Sequence, residues 1–215
     1  MSIGDKKIFA TLFFSIFATV TGVGIVIPLL PVYAHELGAS GLYIGMIFGS
    51  FSMARTFFLP YFGRLSDRKG RKPLIVPALL AYAAISLGFI VFKDINALIV
   101  LRFFQGIASA MLMPIIQAYI GDITPPGNEG FSMGLFNMSM FCGLSIGPFL
   151  GGVIHDRFGL HTSFACMGLL ALIGFFLSLF LLPPTRTEKY LSSGKSPVEW
   201  GKLFSDRDIA SIFLF

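Results

Sequence analysis

Six apolar runs, each close to the length a helix needs to cross hydrocarbon, constrain this chain more than any other feature. They cover approximately 8–34, 42–62, 73–92, 97–120, 131–154 and 160–182. A bilayer core of roughly 30 Å takes about 20 helical residues. Backbone polar groups inside lipid must be paired within the spanning structure, and unbroken apolar runs of this length do that as helices. A seventh run opens near Ile209 and stops at Phe215, which reads as the truncated start of another span. Hydrophobic residues make up 55% of the chain and charged residues 13%. Mean hydropathy is +0.81. A soluble domain carries about 25% charge, so a soluble class is excluded. Lys6 and Lys7 precede the first run as in a signal peptide, but that run is too long for a cleaved one and no small-residue cleavage pattern closes it.

The expected organisation is a six-span bundle over 1–182, a polar cytoplasmic linker over 183–208 and the start of a seventh span over 209–215. Within the linker, Trp200, Leu203 and Phe204 fit either a short interfacial amphipathic turn or a plain flexible segment. The net charge of +5 lies in turns between spans, with no basic stripe on a soluble face, so nucleic acid is not an expected partner. With the N-terminus inside, twelve Lys and Arg fall on the inner side and only Lys93 and Arg157 on the outer. The positive-inside bias therefore predicts a cytoplasmic N-terminus in a multi-pass protein of the cell membrane, plasma or inner.

The densest charge lies at 63–73, Gly-Arg-Leu-Ser-Asp-Arg-Lys-Gly-Arg-Lys-Pro, which reads as a short turn between two spans. Gly63 and Gly70 would let two helix ends approach, and Asp67 is one carboxylate among five cations. Part of this pattern recurs: Gly63-x-x-x-Asp67-Arg68-x-Gly70 returns as Gly152-x-x-x-Asp156-Arg157-x-Gly159, 89 residues later. Three spans separate the copies, which places them on opposite membrane faces. The fold class expected is thus an all-α membrane bundle of six helices built from two inverted three-helix repeats.

Four signatures together give a resemblance to the N-terminal half of a major facilitator superfamily transporter, over essentially the whole chain. The loop resembles the superfamily's G-x-L-a-D-r-x-G-r-k pattern at Gly63, Leu65, Asp67, Arg68, Gly70, Arg71 and Lys72. Arg102-Phe-Phe-Gln105-Gly106 resembles R-x-x-q-G, and Gly22 with Pro28-Leu-Leu-Pro31 resembles g-x5-P-x-x-P. Gly143-Leu-Ser-Ile-Gly147-Pro148-Phe-Leu-Gly151-Gly152 is similar to the signature of the drug/proton antiporter branch. The resemblance implies export of hydrophobic compounds in exchange for protons by alternating access. It also implies a second half, either a C-terminal half absent from this chain or a second copy. The loop would latch the inner gate by docking on that half; setting topology alone is the plainer reading. The fifth-span glycines would pack tightly, and the resemblance adds that their surface meets the opposite half.

Two cations lie within spans. Arg102 sits about five residues into the fourth, roughly 8 Å deep, where snorkelling competes with a polar cavity shared with Gln105. The resemblance suggests a part in proton coupling. Arg55 is deeper, near the midplane, where Arg costs on the order of 2.5–3.5 kcal/mol on insertion scales. No Asp or Glu lies inside any of the six spans, so Arg55 must meet a carbonyl, water, an anionic substrate group or an acid from elsewhere. Met111, Met113, Gln117, Phe136 and Asn137 fit an adaptable substrate cavity, and individually fit lipid-facing positions as well. His35, His155 and His161 lack metal-ligand spacing, no phosphate-cradling Gly-Lys-Ser/Thr occurs, and Cys142 and Cys166 sit in apolar runs. No enzyme, metal or cofactor is expected. The rival functions are a sugar or small-metabolite symporter or uniporter, and a non-transporting bundle or inactive half.

Overall fold

The computed structural model describes residues 3–183, side chains from residue 7. Nearly all of the expected linker, and the start of the seventh span, lie outside the described residues. Those described form six helices in chain order: α1 (Ile3–Glu36), α2 (Gly41–Lys69), α3 (Lys72–Val91), α4 (Ile95–Ile123), α5 (Glu129–Phe158) and α6 (Leu160–Leu181). All six are long and apolar enough to cross a membrane. Each helix runs a few residues beyond its apolar stretch or close to it. Of the boundaries, α2 departs furthest from expectation: it stays helical through Gly63 and Asp67 to Lys69, so the charged segment is mostly a helix end rather than a turn. Charged side chains do not stop a helix once it has left hydrocarbon; a residue with positive φ does.

That residue is Gly70, at φ +89, and its counterpart Gly159 ends α5 at φ +81. L side chains rarely adopt this conformation, which explains why glycine recurs at the close of both repeat copies. Gly63 lies within α2 with open space where a Cβ would stand, so it does not form the turn. The packing carries the same symmetry. Helix α1 lies chiefly on α5 and α6, α4 lies chiefly on α2 and α3, and α3 faces α6. Exchanging α1 with α4, α2 with α5 and α3 with α6 maps that set onto itself, as an inverted repeat requires.

Without a hydrophobic force between helices in lipid, close packing and interhelical hydrogen bonds hold the bundle. Ser139 donates to the Phe13 carbonyl at 2.8 Å and Ser50 to the Ile99 carbonyl at 3.2 Å. Ser15 and Ser178 share a bond of 3.0 Å, and Ser86 donates to the Phe164 carbonyl. Phe164 also stacks on Phe89 at 5.2 Å between ring centroids and meets Tyr33 edge-on at 5.7 Å. Prolines at 28, 31, 60, 77, 114 and 148 all lie within helices that continue past them. Asp94 caps α4 by accepting from the Asn96 and Ala97 amides.

Candidate functional site

At the Gly70 end the charged segment folds around a cation rather than around its acid. Arg71 is 5% exposed; its Nε donates to Asp122 at 3.0 Å and its Nη1 to Asp67 and Ser66, each at 2.6 Å. The picture of Asp67 held among bases is therefore reversed: Arg71 is held between two acids. One of them, Asp122, stands near the end of α4, so the pair ties the α2–α3 turn to another helix. Burial alone would lower the Arg71 pKa, but the hydrogen bonds and charges of Asp122 and Asp67 outweigh it and hold the group above its ordinary value. Lys72 reaches across to the end of α6, donating to the Leu179 and Leu182 carbonyls at 2.7 and 2.5 Å. That is a cation at a helix C-terminus, satisfying orphan carbonyls. Tyr119 donates to the Pro183 carbonyl at 2.9 Å beside it. Arg64, Arg68 and Lys69 remain exposed. Arg64 and Arg68 border a groove of about 480 Å³ along α2 with Phe57 and Tyr61.

At mid-bundle, residues of α1 to α5 line a half-open cavity of about 560 Å³. Arg55, Met113, Gln117, Phe136 and Asn137 line it, joined by Phe51, Tyr82 and Ser109, which the sequence did not single out. Met111 is not among its lining residues; it packs against the core instead. Helical spacing explains this: Phe51, Arg55 and Leu59 form one stripe of α2, and Ser109, Met113 and Gln117 one stripe of α4. Met111 is two residues from Ser109 and from Met113, on nearly the opposite side of the helix. Ser109 was thus findable from its neighbours' spacing; Tyr82, alone on α3, offered no such signal.

Arg102 is buried, at 2% exposure, so snorkelling to the interface does not apply. Its Nη1 donates to the Gln105 Oε1 at 3.0 Å, and the guanidinium carbon lies 4.9 Å from the Phe48 ring centroid and 5.6 Å from that of Phe51. Among the described residues, its Nε and Nη2 have no hydrogen-bond partner. The Gln105 amide reaches Met167 Sδ at 3.9 Å. One turn on, a Cβ at Gly106 would collide with the Phe51 carbonyl oxygen. Gly106 therefore fixes the close α2–α4 crossing that places the Phe51 ring between Arg102 and the cavity.

The glycines of α5 face α1. A Cβ on Gly147 would lie 2.7 Å from the Thr21 carbonyl oxygen, and one on Gly151 equally close to that of Ile25. One on Gly143 would lie 3.0 Å from the Val20 Cβ. The tight packing read from their spacing is there, but α1 occupies that surface, and it is not free to meet another half. Pro148 is exposed beside Gly24, and a Cβ on Gly152 would meet nothing. The exposed apolar side of α5 is a different one, bearing Phe131, Phe141 and Phe149.

The family model described as Major Facilitator Superfamily matches residues 12–215. The chain is 36% identical over 178 residues to the uncharacterized MFS-type transporter MJ1560 of Methanocaldococcus jannaschii, covering 83% of this chain and 46% of that protein. It is 30% identical over 199 residues to the quinolone resistance protein NorA of Staphylococcus aureus, covering 91% and 49%. Among solved structures, the human organic anion transporter MFSD10 (TETRAN) superposes with a TM-score of 0.73 at 19% identity, covering 86% of this chain and 49% of the other. The chain thus spans about half the length of the curated relatives it matches. By sequence and by fold, this multi-pass membrane chain belongs to the Major Facilitator Superfamily.

Proposed function

We propose that this chain forms the N-terminal bundle of a secondary transporter that exports hydrophobic or amphiphilic compounds in exchange for protons. One observation carries the reading: a mid-bundle cavity of about 560 Å³ whose wall mixes Met113 and Phe136 with Arg55, Gln117 and Asn137. Its size falls within the range of small-molecule sites, and a transporter site belongs near the midplane between two bundles. Similarity to a quinolone resistance protein supports export of drug-like compounds.

In this reading the N-terminus is cytoplasmic, the membrane is the cell membrane, and a second six-helix bundle rocks against this one around the shared site. The Gly70 end is then the inner gate. With Arg71 and Lys72 engaged within the bundle, Arg64, Arg68 and Lys69 are the cations left to latch onto the opposite half. Every Asp and Glu among the described residues lies at or next to a helix end, so the proton-carrying carboxylate belongs to the other bundle. Arg102 and Gln105 contribute by holding positive charge behind the cavity wall. The test is efflux of a fluorescent amphiphile from cells producing the protein, with and without a protonophore. Efflux that collapses with the proton gradient is expected; efflux indifferent to the protonophore would sink the antiport reading.

A further inference from the structure

We propose that the cavity wall around Arg55 is an oxyanion subsite, taking the carboxylate or a comparable negative group of an amphiphilic anion. As an assignment of substrate class it rests on the transport reading above. Arg55 lies within the apolar run of α2, about 20 Å from its start near residue 42 and about 12 Å from Gly63, where the charged segment begins, at 1.5 Å per residue. From that depth its head does not reach either interface. Among the described residues no hydrogen bond or ion pair engages its guanidinium. A cation in the middle of a membrane bundle faces water or a partner, and such residues mark ligand pathways.

The surroundings decide the sign of that partner. The described acids are confined to helix ends and turns, so no carboxylate of this bundle neutralises the cavity. A second cation, Arg102, lies against the ring of Phe51, which itself lines the cavity. Arg102 is shut off by the aromatic ring; Arg55 lines the space itself. Around it on the same wall stand groups able to donate: the Tyr82 and Ser109 hydroxyls and the amides of Gln117 and Asn137. Guanidinium plus neutral donors is the set that binds a planar oxyanion, often through two parallel N–H bonds. An organic cation would meet repulsion there. The apolar remainder of the wall, Met113 and Phe136 among it, suits the hydrophobic body of the same molecule.

The test measures binding to the chain, not flux. In nanodiscs of zwitterionic lipid, with empty nanodiscs subtracted, fluorescence titrations compare pyrenebutyrate, its amide and a matched trimethylammonium analogue. The carboxylate is expected to bind at least about tenfold tighter than the cation, roughly 1.4 kcal/mol by the usual conversion. That preference disappears in Arg55→Gln and persists in part in Arg55→Lys, which also guards against loss of fold in the first variant. It also fades as the pH falls through the carboxyl range near about 4.3, where the ligand loses its charge. Equal binding of all three, preference for the cation, no binding at all, or a preference that survives Arg55→Gln overturns the subsite. Because proton-driven efflux is read separately, the subsite can fall while the transport reading stands, and the reverse.

Discussion

Arg71 and Arg102 are both nearly sealed from solvent, and they meet that condition in different ways. Arg71 has two carboxylates; Arg102 has one amide oxygen and two aromatic faces. Removing one partner of a buried charge costs more than replacing both by apolar groups. Gln105→Leu should therefore destabilise the purified chain by about 1–3 kcal/mol, and the double variant Arg102→Met with Gln105→Leu should recover most of it. Thermal unfolding in detergent checks this; a double variant less stable than Gln105→Leu would contradict it. For the clasp, Asp67 is joined to Arg71 within one turn, whereas Asp122 joins it across helices. Asp122→Asn should destabilise the chain more than Asp67→Asn, each by no more than about 1–2 kcal/mol because both acids are partly exposed, and the unfolding temperatures should fall in that order. The pH dependence has a definite sign. A folded pKa raised above the unfolded value leaves its stabilisation fully present at every pH below the unfolded value, which for arginine lies far above neutrality, so Arg71 itself contributes no slope to unfolding at about pH 6 to 9. Arg102's inward orientation was legible from Gln105 three residues on. The clasp was not, because it depends on the α2–α3 turn converging with the end of α4; the one hint in the sequence is that the stretch 121–130 carries Asp122 and Glu129 and no cation.

Helices, as elements, were readable from apolar runs, but which side of each one packs was not. The small-xxx-small spacing on α5 is matched on α2 by Gly41, Gly45 and Gly49. The first set is pressed against α1, while the second has nothing within 4 Å. Periodicity alone cannot distinguish them, since both stripes suit close approach and only the fold supplies the neighbour. Gly147→Val should push α1 from α5 and cost about 1–3 kcal/mol. Gly45→Ala should be neutral or slightly stabilising, gaining helix propensity without a collision. Equal melting temperatures for the two variants would show that α5 does not meet α1 through its glycines. The overshoot of α2 past Gly63 follows the same lesson. Hydropathy reports where lipid ends, whereas backbone geometry at Gly70 reports where the helix ends.

For the whole molecule, the repeated Gly-x-x-x-Asp-Arg-x-Gly pattern led to the inverted pairing of three-helix units seen in the packing. Orientation rests on the imbalance of Lys and Arg between the two sides. It predicts that Arg68→Cys reacts with an impermeant thiol reagent in inside-out vesicles and not in intact cells. On the proposed function the mid-bundle cavity is a wet substrate path rather than a lipid-facing crease. Replacing Cys142 and Cys166 by Ser and introducing Asn137→Cys on the cavity wall, or Phe180→Cys on the outer side of α6, allows this to be measured directly in cells producing the protein. A small impermeant thiol reagent should modify the first variant, an amphiphilic carboxylate should slow this modification, and the second variant should stay unmodified. An unreactive Asn137→Cys, or one modified at the same rate with and without the amphiphile, contradicts the substrate path.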